Sequence, residues 1–309
     1  MLAELVLPAA GVASLPPQSR QGHVPLPVAT NVGVVPLIRR HELQTDDADP
    51  AKLLGEGGFG LVRAGTWLGA SVAIKQLRLP RVTTEAQAEL VREAGVHARL
   101  RHPHIVHLYG LVMDTPCCLV MELMAGSLHN LLNDHSKNLP WPMRARLARE
   151  TGLGLEYLHT CGILHRDLKS MNVLLDAQNI AKLSDFGLAR VKGETMRSQS
   201  GASGQGTLGW MAPELLMHAA NHSVRTDIYA FGMTLWEICS RTLPFAQASN
   251  AQLVAFWVTI GRIEAIPDDT PATIRDIIGT ATSGCWAREP SLRPSMSDIL
   301  SRLKALAFD

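Results

Sequence analysis

The sequence predicts a mixed α+β fold, strand-rich in its first part and mostly helical in its second. Residues 62–75 read as strand, glycine turn, strand, and residues 104–112 and 116–123 as two further strands, with a helix at 84–100 between. Beyond residue 127 helices dominate, at 127–133 and 142–161. Pro142 fits near a helix start, where its missing N–H would have had no partner. A length of 309 residues suffices for one large domain or two lobes with a sizeable core.

Composition narrows the function classes. The formal net charge is +1, so nothing points to a nucleic-acid partner or a membrane surface. No apolar run approaches the ~20 residues of a membrane span. Cys117, Cys118, Cys161, Cys239 and Cys285 are odd in number and lack metal-ligand spacing, which reads as a reducing, cytoplasmic setting. Residues 1–13 are mostly apolar but carry Glu4 and no basic start, against a signal peptide. An organelle transit peptide is the alternative for this acid-poor stretch. Pro8, Pro16, Pro17, Pro25, Pro27 and Pro36 break any periodicity. Residues 1–40 are therefore expected to be a disordered extension, with the folded domain at 41–309.

Taken in order, the first motif is Gly55-Glu56-Gly57-Gly58-Phe59-Gly60-Leu61-Val62. Alone it is a weak signal. A dinucleotide site needs a helix next, whereas here a strand, a turn and Val72-Ala73-Ile74-Lys75 follow. A glycine hairpin over phosphates fits better, since residues without Cβ let backbone N–H groups approach phosphate oxygens. A strand-end Lys is usually just solvated. Helix 84–100, with a possible capping box at Thr84 and Gln87, sets Glu93 on one face with Leu90, His97 and Leu100. Gly95 inside it costs roughly 1 kcal/mol relative to Ala.

The second motif is His165-Arg166-Asp167-Leu168-Lys169-Ser170-Met171-Asn172, followed by Asp185-Phe186-Gly187. A short turn can hold the Asp167 carboxylate and the Asn172 amide oxygen at one cleft. The first can accept a hydroxyl proton and the second can bind a hard cation.

These motifs together resemble the protein kinases, over about residues 50–306. Trp210-Met211-Ala212-Pro213-Glu214 is similar to the tyrosine-kinase-like branch of serine/threonine kinases. The resemblance implies an α+β bilobal fold: N-lobe about 41–121, hinge 122–126, C-lobe 127–309. It implies ATP and Mg²⁺. Residues 54–60 would cover the phosphates, starting with Leu54, and Glu93 would aim Lys75 at them. Met121 would be the gatekeeper, Glu122 to Met124 would meet the adenine edge, and Leu174 would lie under the adenine, facing Val62 and Ala73. Asn172 and Asp185 would hold Mg²⁺. Asp167 would take the substrate proton, with Lys169 beside the transferring phosphate and Thr207 bonding both. Asp227 would hold the catalytic-loop backbone, and Arg293 would pair with Glu214.

Protein substrates phosphorylated on Ser or Thr follow, with dual specificity as the alternative. Regulation is expected in segment 195–203, where a phosphate on Ser203, placed by an upstream kinase or by the protein itself, would be taken by Arg166 with Arg190 or Lys192. Two other classes compete. A pseudokinase scaffold usually lacks Lys75, Asp167 or Asp185, and all three are present. A small-molecule kinase would have little need for the peptide-docking segment 206–214. One departure stands out: relatives carry Leu or Met where this chain has His97. Either His97 weakens the stack with Phe186, Leu108 and His165 and lowers basal activity, or it is a neutral imidazole with one satisfied hydrogen bond.

Overall fold

The computed structural model describes residues 35–45, 49–57, 60–77, 84–186 and 207–307, without the side chains of 84–87 and 89. Gly58, Phe59 and the segment 187–206, with Arg190, Lys192 and Ser203, lie outside the described residues, as do residues 1–34.

The first lobe is a twisted antiparallel sheet with one helix against it. Its strands are β1 (Leu43–Gln44), β2 (Leu53–Gly57), β3 (Gly60–Trp67), β4 (Ala70–Leu77), β5 (Leu108–Val112) and β6 (Cys118–Glu122), in the order β1-β3-β4-β6-β5 with β2 on β3. The glycine motif is a β2–β3 hairpin with Gly57 opposite Gly60, and no helix follows it, as expected. The helix α1 (Thr84–Arg99) runs unbroken through Gly95. Leu90, Ala94 and Ala98 of α1 bury against Leu108 and Leu111 of β5 and Leu119 and Met121 of β6. This apolar cluster fixes where the helix sits.

The expected domain start at residue 41 falls too late. Val35 and Ile38 are buried, and residues 35–40 run along the edge of β5. Leu111 N donates to Pro36 O and Ile38 N to Leu111 O, both at 2.9 Å. Gly110 makes the approach possible, because a Cβ there would lie 2.5 Å from Pro36 O. Proline density hid this strap, yet a proline without an N–H can cover a strand edge through its carbonyl. The strand expected at 104–112 likewise begins only at Leu108.

The second lobe begins after β7 (Gly126–Ser127). It contains α2 (Leu128–Asn133), α3 (Trp141–Thr160), β8 (Val173–Leu175), β9 (Ala181–Leu183), α4 (Pro213–Leu216), α5 (Val224–Ser240), α6 (Ala251–Thr259), α7 (Ala272–Ile278) and α8 (Met296–Lys304). Ser127 caps α2 by accepting from Asn130 N, and Pro142 lies in the first turn of α3. Helix α5 is the axis of the lobe: every residue from Thr226 to Cys239 is buried. A helix buried on every face belongs in a core, and this one brings two carboxylates, Asp227 and Glu237, into it. Gly232 lets the 284–286 turn press on α5, since a Cβ there would meet Cys285 Cβ at 2.5 Å. Arg293 and Glu214 form the expected buried bidentate pair, Nη1–Oε1 2.6 Å and Nη2–Oε2 2.9 Å.

Candidate active site

The cleft lies between the two lobes, and each wall has a local cause. On the upper wall, Val62 pairs with Lys75, Ala73 with Met121 and Lys75 with Leu119. Directly paired residues of an antiparallel sheet share a face, as do residues two apart. Register therefore sets Val62, Ala73, Lys75 and Met121 on one face. Leu54 lies exposed at the start of the hairpin. Below, Leu174 on β8 packs against the edge of the upper core, as does Met124 of the link between lobes. The Glu122 side chain is held within the protein: Oε1 pairs with Lys182 at 2.5 Å and Oε2 accepts from His107 N, which leaves only its backbone for the expected adenine-edge role. Its backbone N–H goes to His107 O, so in this link the donor open to a base is not that of Glu122.

The lower wall is the turn 165–172. Asp227 at the start of α5 accepts from His165 N at 2.8 Å, Arg166 N at 2.9 Å and His159 Nε2 at 2.9 Å. These bonds hold Arg166 at φ 67°, a left-handed conformation that a side chain adopts only when its surroundings impose it. The side chain of Asn172 donates Nδ2–H to Asp167 O at 2.6 Å and to Asp167 Oδ2 at 3.1 Å. Both neighbours are acceptors, which fixes the amide nitrogen on that side and turns its oxygen the other way. Asn172 O accepts from Ser184 N and Ser184 Oγ, tying this turn to the residue before Asp185.

Asp185 sits at φ 59°, and its carboxylate meets the Lys75 ammonium across the cleft, a contact between positions 110 apart in sequence. Lys75 is buried, so its charge needs such a partner. Glu93, expected to meet Lys75, is half-buried on α1. Lys169 Nζ donates to Thr207 Oγ1 at 2.8 Å and lies 3.3 Å from Asp167 Oδ1, so the three form one chain.

Phe186 packs between two imidazoles, with ring centroids 4.4 Å from His97 and 6.1 Å from His165. Burial pushes the pKa of His97 down to about 4, and its Nε2 donates to Val106 O at 3.0 Å. The neutral, hydrogen-bonded form of the two expected for His97 is the one this geometry supports. Sequence reasoning missed Glu237 on α5, which accepts from Ser170 and Trp210. The signal available was a lone carboxylate inside the apolar run 228–239. It also missed Lys182 of β9, which belongs to none of the motifs and meets Glu122 only across the fold.

Comparison with known proteins places this geometry. A family profile described as protein tyrosine and serine/threonine kinase matches residues 49–303. A probable serine/threonine-protein kinase of Dictyostelium discoideum is 36% identical over 270 residues, 86% of this chain and 28% of that protein. The serine/threonine-protein kinase CTR1 of Arabidopsis thaliana is 35% identical over 266 residues, 84% of this chain and 32% of that protein. The dual specificity protein kinase shkA of Dictyostelium discoideum is 34% identical over 276 residues, 87% of this chain and 51% of that protein. The chain thus spans between a quarter and about half of the length of these relatives. Among the described residues no helix is long and apolar enough to cross a membrane. The profile covers both walls of the cleft, and the chain belongs to the protein tyrosine and serine/threonine kinase family.

Proposed function

We propose that the chain transfers the γ-phosphate of ATP to serine or threonine hydroxyls of protein substrates. The observation that carries this reading is the convergence of Lys75, Asp185, Asn172 and Asp167 on one cleft from both lobes. Phosphoryl transfer asks a protein for positioning and charge stabilisation. The glycine hairpin and Lys75 hold the phosphates, with Glu93 orienting Lys75. Val62, Ala73, Met121 and Leu174 enclose the base, and Met124 supplies backbone groups to its edge. Asp167 accepts the proton of the substrate hydroxyl, and Lys169 sits beside the phosphate in transit.

Mg²⁺ fits the donor set. Among the described residues no group of three or more His, Cys, Asp or Glu could form a metal cage of its own. One carboxylate (Asp185) and one amide oxygen (Asn172) are the sparse oxygen ligands with which Mg²⁺ joins substrate phosphates. When bound it would neutralise phosphate charge.

The Lys169–Thr207 bond supports a serine/threonine hydroxyl as acceptor, and the named relatives point the same way. Dual specificity is the second reading, favoured by the likeness to shkA. Regulation is read from Arg166, whose buried Nε has no hydrogen-bond partner among the described residues. Such a group is costly unless an acceptor reaches it, and a phosphate on Ser203 is the acceptor we assign, placed by an upstream kinase or by the protein itself. The free cysteines among the described residues support a reducing, cytoplasmic setting. A peptide library with serine, threonine and tyrosine acceptors, incubated with the purified chain and Mg-ATP, tests the reading. Label on serine and threonine peptides is expected; label on none contradicts it.

A further inference from the structure

Strand β9 is three residues long and ends two positions before Asp185. Ala181, its first residue, is fully buried, so both its backbone groups need partners. One edge of β9 pairs with β8. On the other edge His104 Nδ1 donates to Ala181 O at 2.9 Å, Leu183 N donates to His104 O at 2.9 Å, and Val106 N donates to Leu183 O at 3.0 Å. These three bonds all lead to the segment 104–106, which joins α1 to β5 of the first lobe. The remaining group on this edge, Ala181 N, donates to Glu150 Oε2 of α3 at 2.8 Å.

The reading above gives Glu150 no part. It is 6% exposed, and a carboxylate buried this deeply is costly unless its oxygens are filled. Each oxygen has a donor, since Oε1 accepts from Arg146 Nη1 one turn earlier at 3.1 Å. One turn later on the same face comes Gly154. A Cβ there would meet His104 O at 2.5 Å and Leu183 Cγ at 3.0 Å. The face of α3 therefore offers β9 a notch at Gly154 and a charged acceptor at Glu150. A hydrogen bond to a carboxylate is roughly twice as strong as one between neutral groups. Among the described residues, the Glu150 bond is the one hydrogen bond that ties this edge to the helices of the second lobe.

We propose that Glu150 is a positioning residue for Asp185, seating β9 on α3 and so fixing where the carboxylate assigned to Mg²⁺ is presented. The role rests on the kinase reading. Little slack follows β9: Ser184 is tied to Asn172 O through both its N and its Oγ, and Asp185 comes next. The groups assigned to the phosphates themselves, the glycine hairpin and Lys75, stand on the sheet of the first lobe. Glutamine keeps an oxygen for Ala181 N, aspartate is one methylene short of it, and alanine offers no acceptor.

The test is calorimetric titration of the full chain with ADP, once with Mg²⁺ and once with EDTA, for wild type, Glu150→Ala, Glu150→Asp and Glu150→Gln. The ratio of the two constants measures the coupling between metal and nucleotide. With Mg²⁺, the Kd is expected to rise about three- to thirtyfold in Glu150→Ala, the range for coupling through a packed network. It rises less in Glu150→Asp and least in Glu150→Gln. With EDTA, every variant is expected to stay within about twofold of wild type, because the metal term is absent. An unchanged Kd with Mg²⁺ overturns the role, and so does an equal rise with Mg²⁺ and with EDTA, which marks general loosening. If Glu150→Ala does not fold, Glu150→Asp decides by the same split. Mg²⁺-dependent binding by the wild-type chain with unchanged variants overturns the positioning role alone; a wild-type chain that binds no ADP overturns the kinase reading and the role with it.

Discussion

The imidazole of His97 rests 4.4 Å from the ring of Phe186, centroid to centroid, while its Nε2 is held by Val106 O at 3.0 Å. A side chain that is polar by type serves here as one layer of an apolar stack between helix α1 and the residue after Asp185. It can do so only when neutral.

Acid should loosen this stack. The pKa of His97 falls from 6.5 to about 4 on folding because burial disfavours the imidazolium. The unfolded chain then binds the proton more readily, so stability is present above pH 6.5 and lost as pH falls toward 4. His97→Leu removes this share of the loss. In urea unfolding, the stability of wild type minus that of His97→Leu should fall between pH 7 and pH 5. His107, also lowered to about 4, is present in both proteins; burial is the first cause of its shift, and His97 adds a smaller push that the variant lacks. A pH-independent difference between the two would show that His97 does not titrate in this window.

Lys75 and Glu93 should act as one unit. Lys75→Met and Glu93→Gln are each expected to impair transfer, and the double variant to lose much less than the sum of the two. Full additivity would mean that Glu93 does not orient Lys75.

The reach of sequence reasoning can be judged from particular residues. Asp167, Asn172, Asp185 and Lys75 were legible because their chemistry is tied to short motifs of fixed spacing. The β2–β3 hairpin was legible because no helix signal follows Gly60. The strap at 35–40 was not, because its bonds run to Leu111, and that pairing depends on β5 being a sheet edge. Glu122–Lys182 and Glu237–Trp210 were hidden too, since the partners are 60 and 27 positions apart and belong to no shared motif.

Arg293 should matter for stability and not for chemistry. Its guanidinium is fully buried and forks onto Glu214, and Nε donates to Ala287 O at 2.9 Å. Arg293→Ala leaves Glu214 buried without its cation, at a cost of about 3–5 kcal/mol. Denaturant midpoints should show a loss of this size. A shift under about 1 kcal/mol would place the pair among weak surface bridges.

The regulatory reading predicts phosphate on Ser203 after incubation with Mg-ATP, alone or with an upstream kinase, seen by mass spectrometry. Ser203→Ala and Arg166→Ala should then show similar, lowered rates. An unmodified Ser203 with full activity in both variants would contradict it.

The central claim is that Asp167 takes the proton of a substrate hydroxyl while other residues hold the nucleotide. Asp167→Asn keeps the shape of the side chain and removes its basicity, and the β3–β4 pairing and the Lys75–Asp185 contact are made by other residues. The direct measurement is paired: nucleotide affinity and the rate of phosphate transfer to a serine peptide, wild type against Asp167→Asn. The account predicts unchanged affinity and transfer lower by at least ~10². Near-normal transfer by the variant would contradict it.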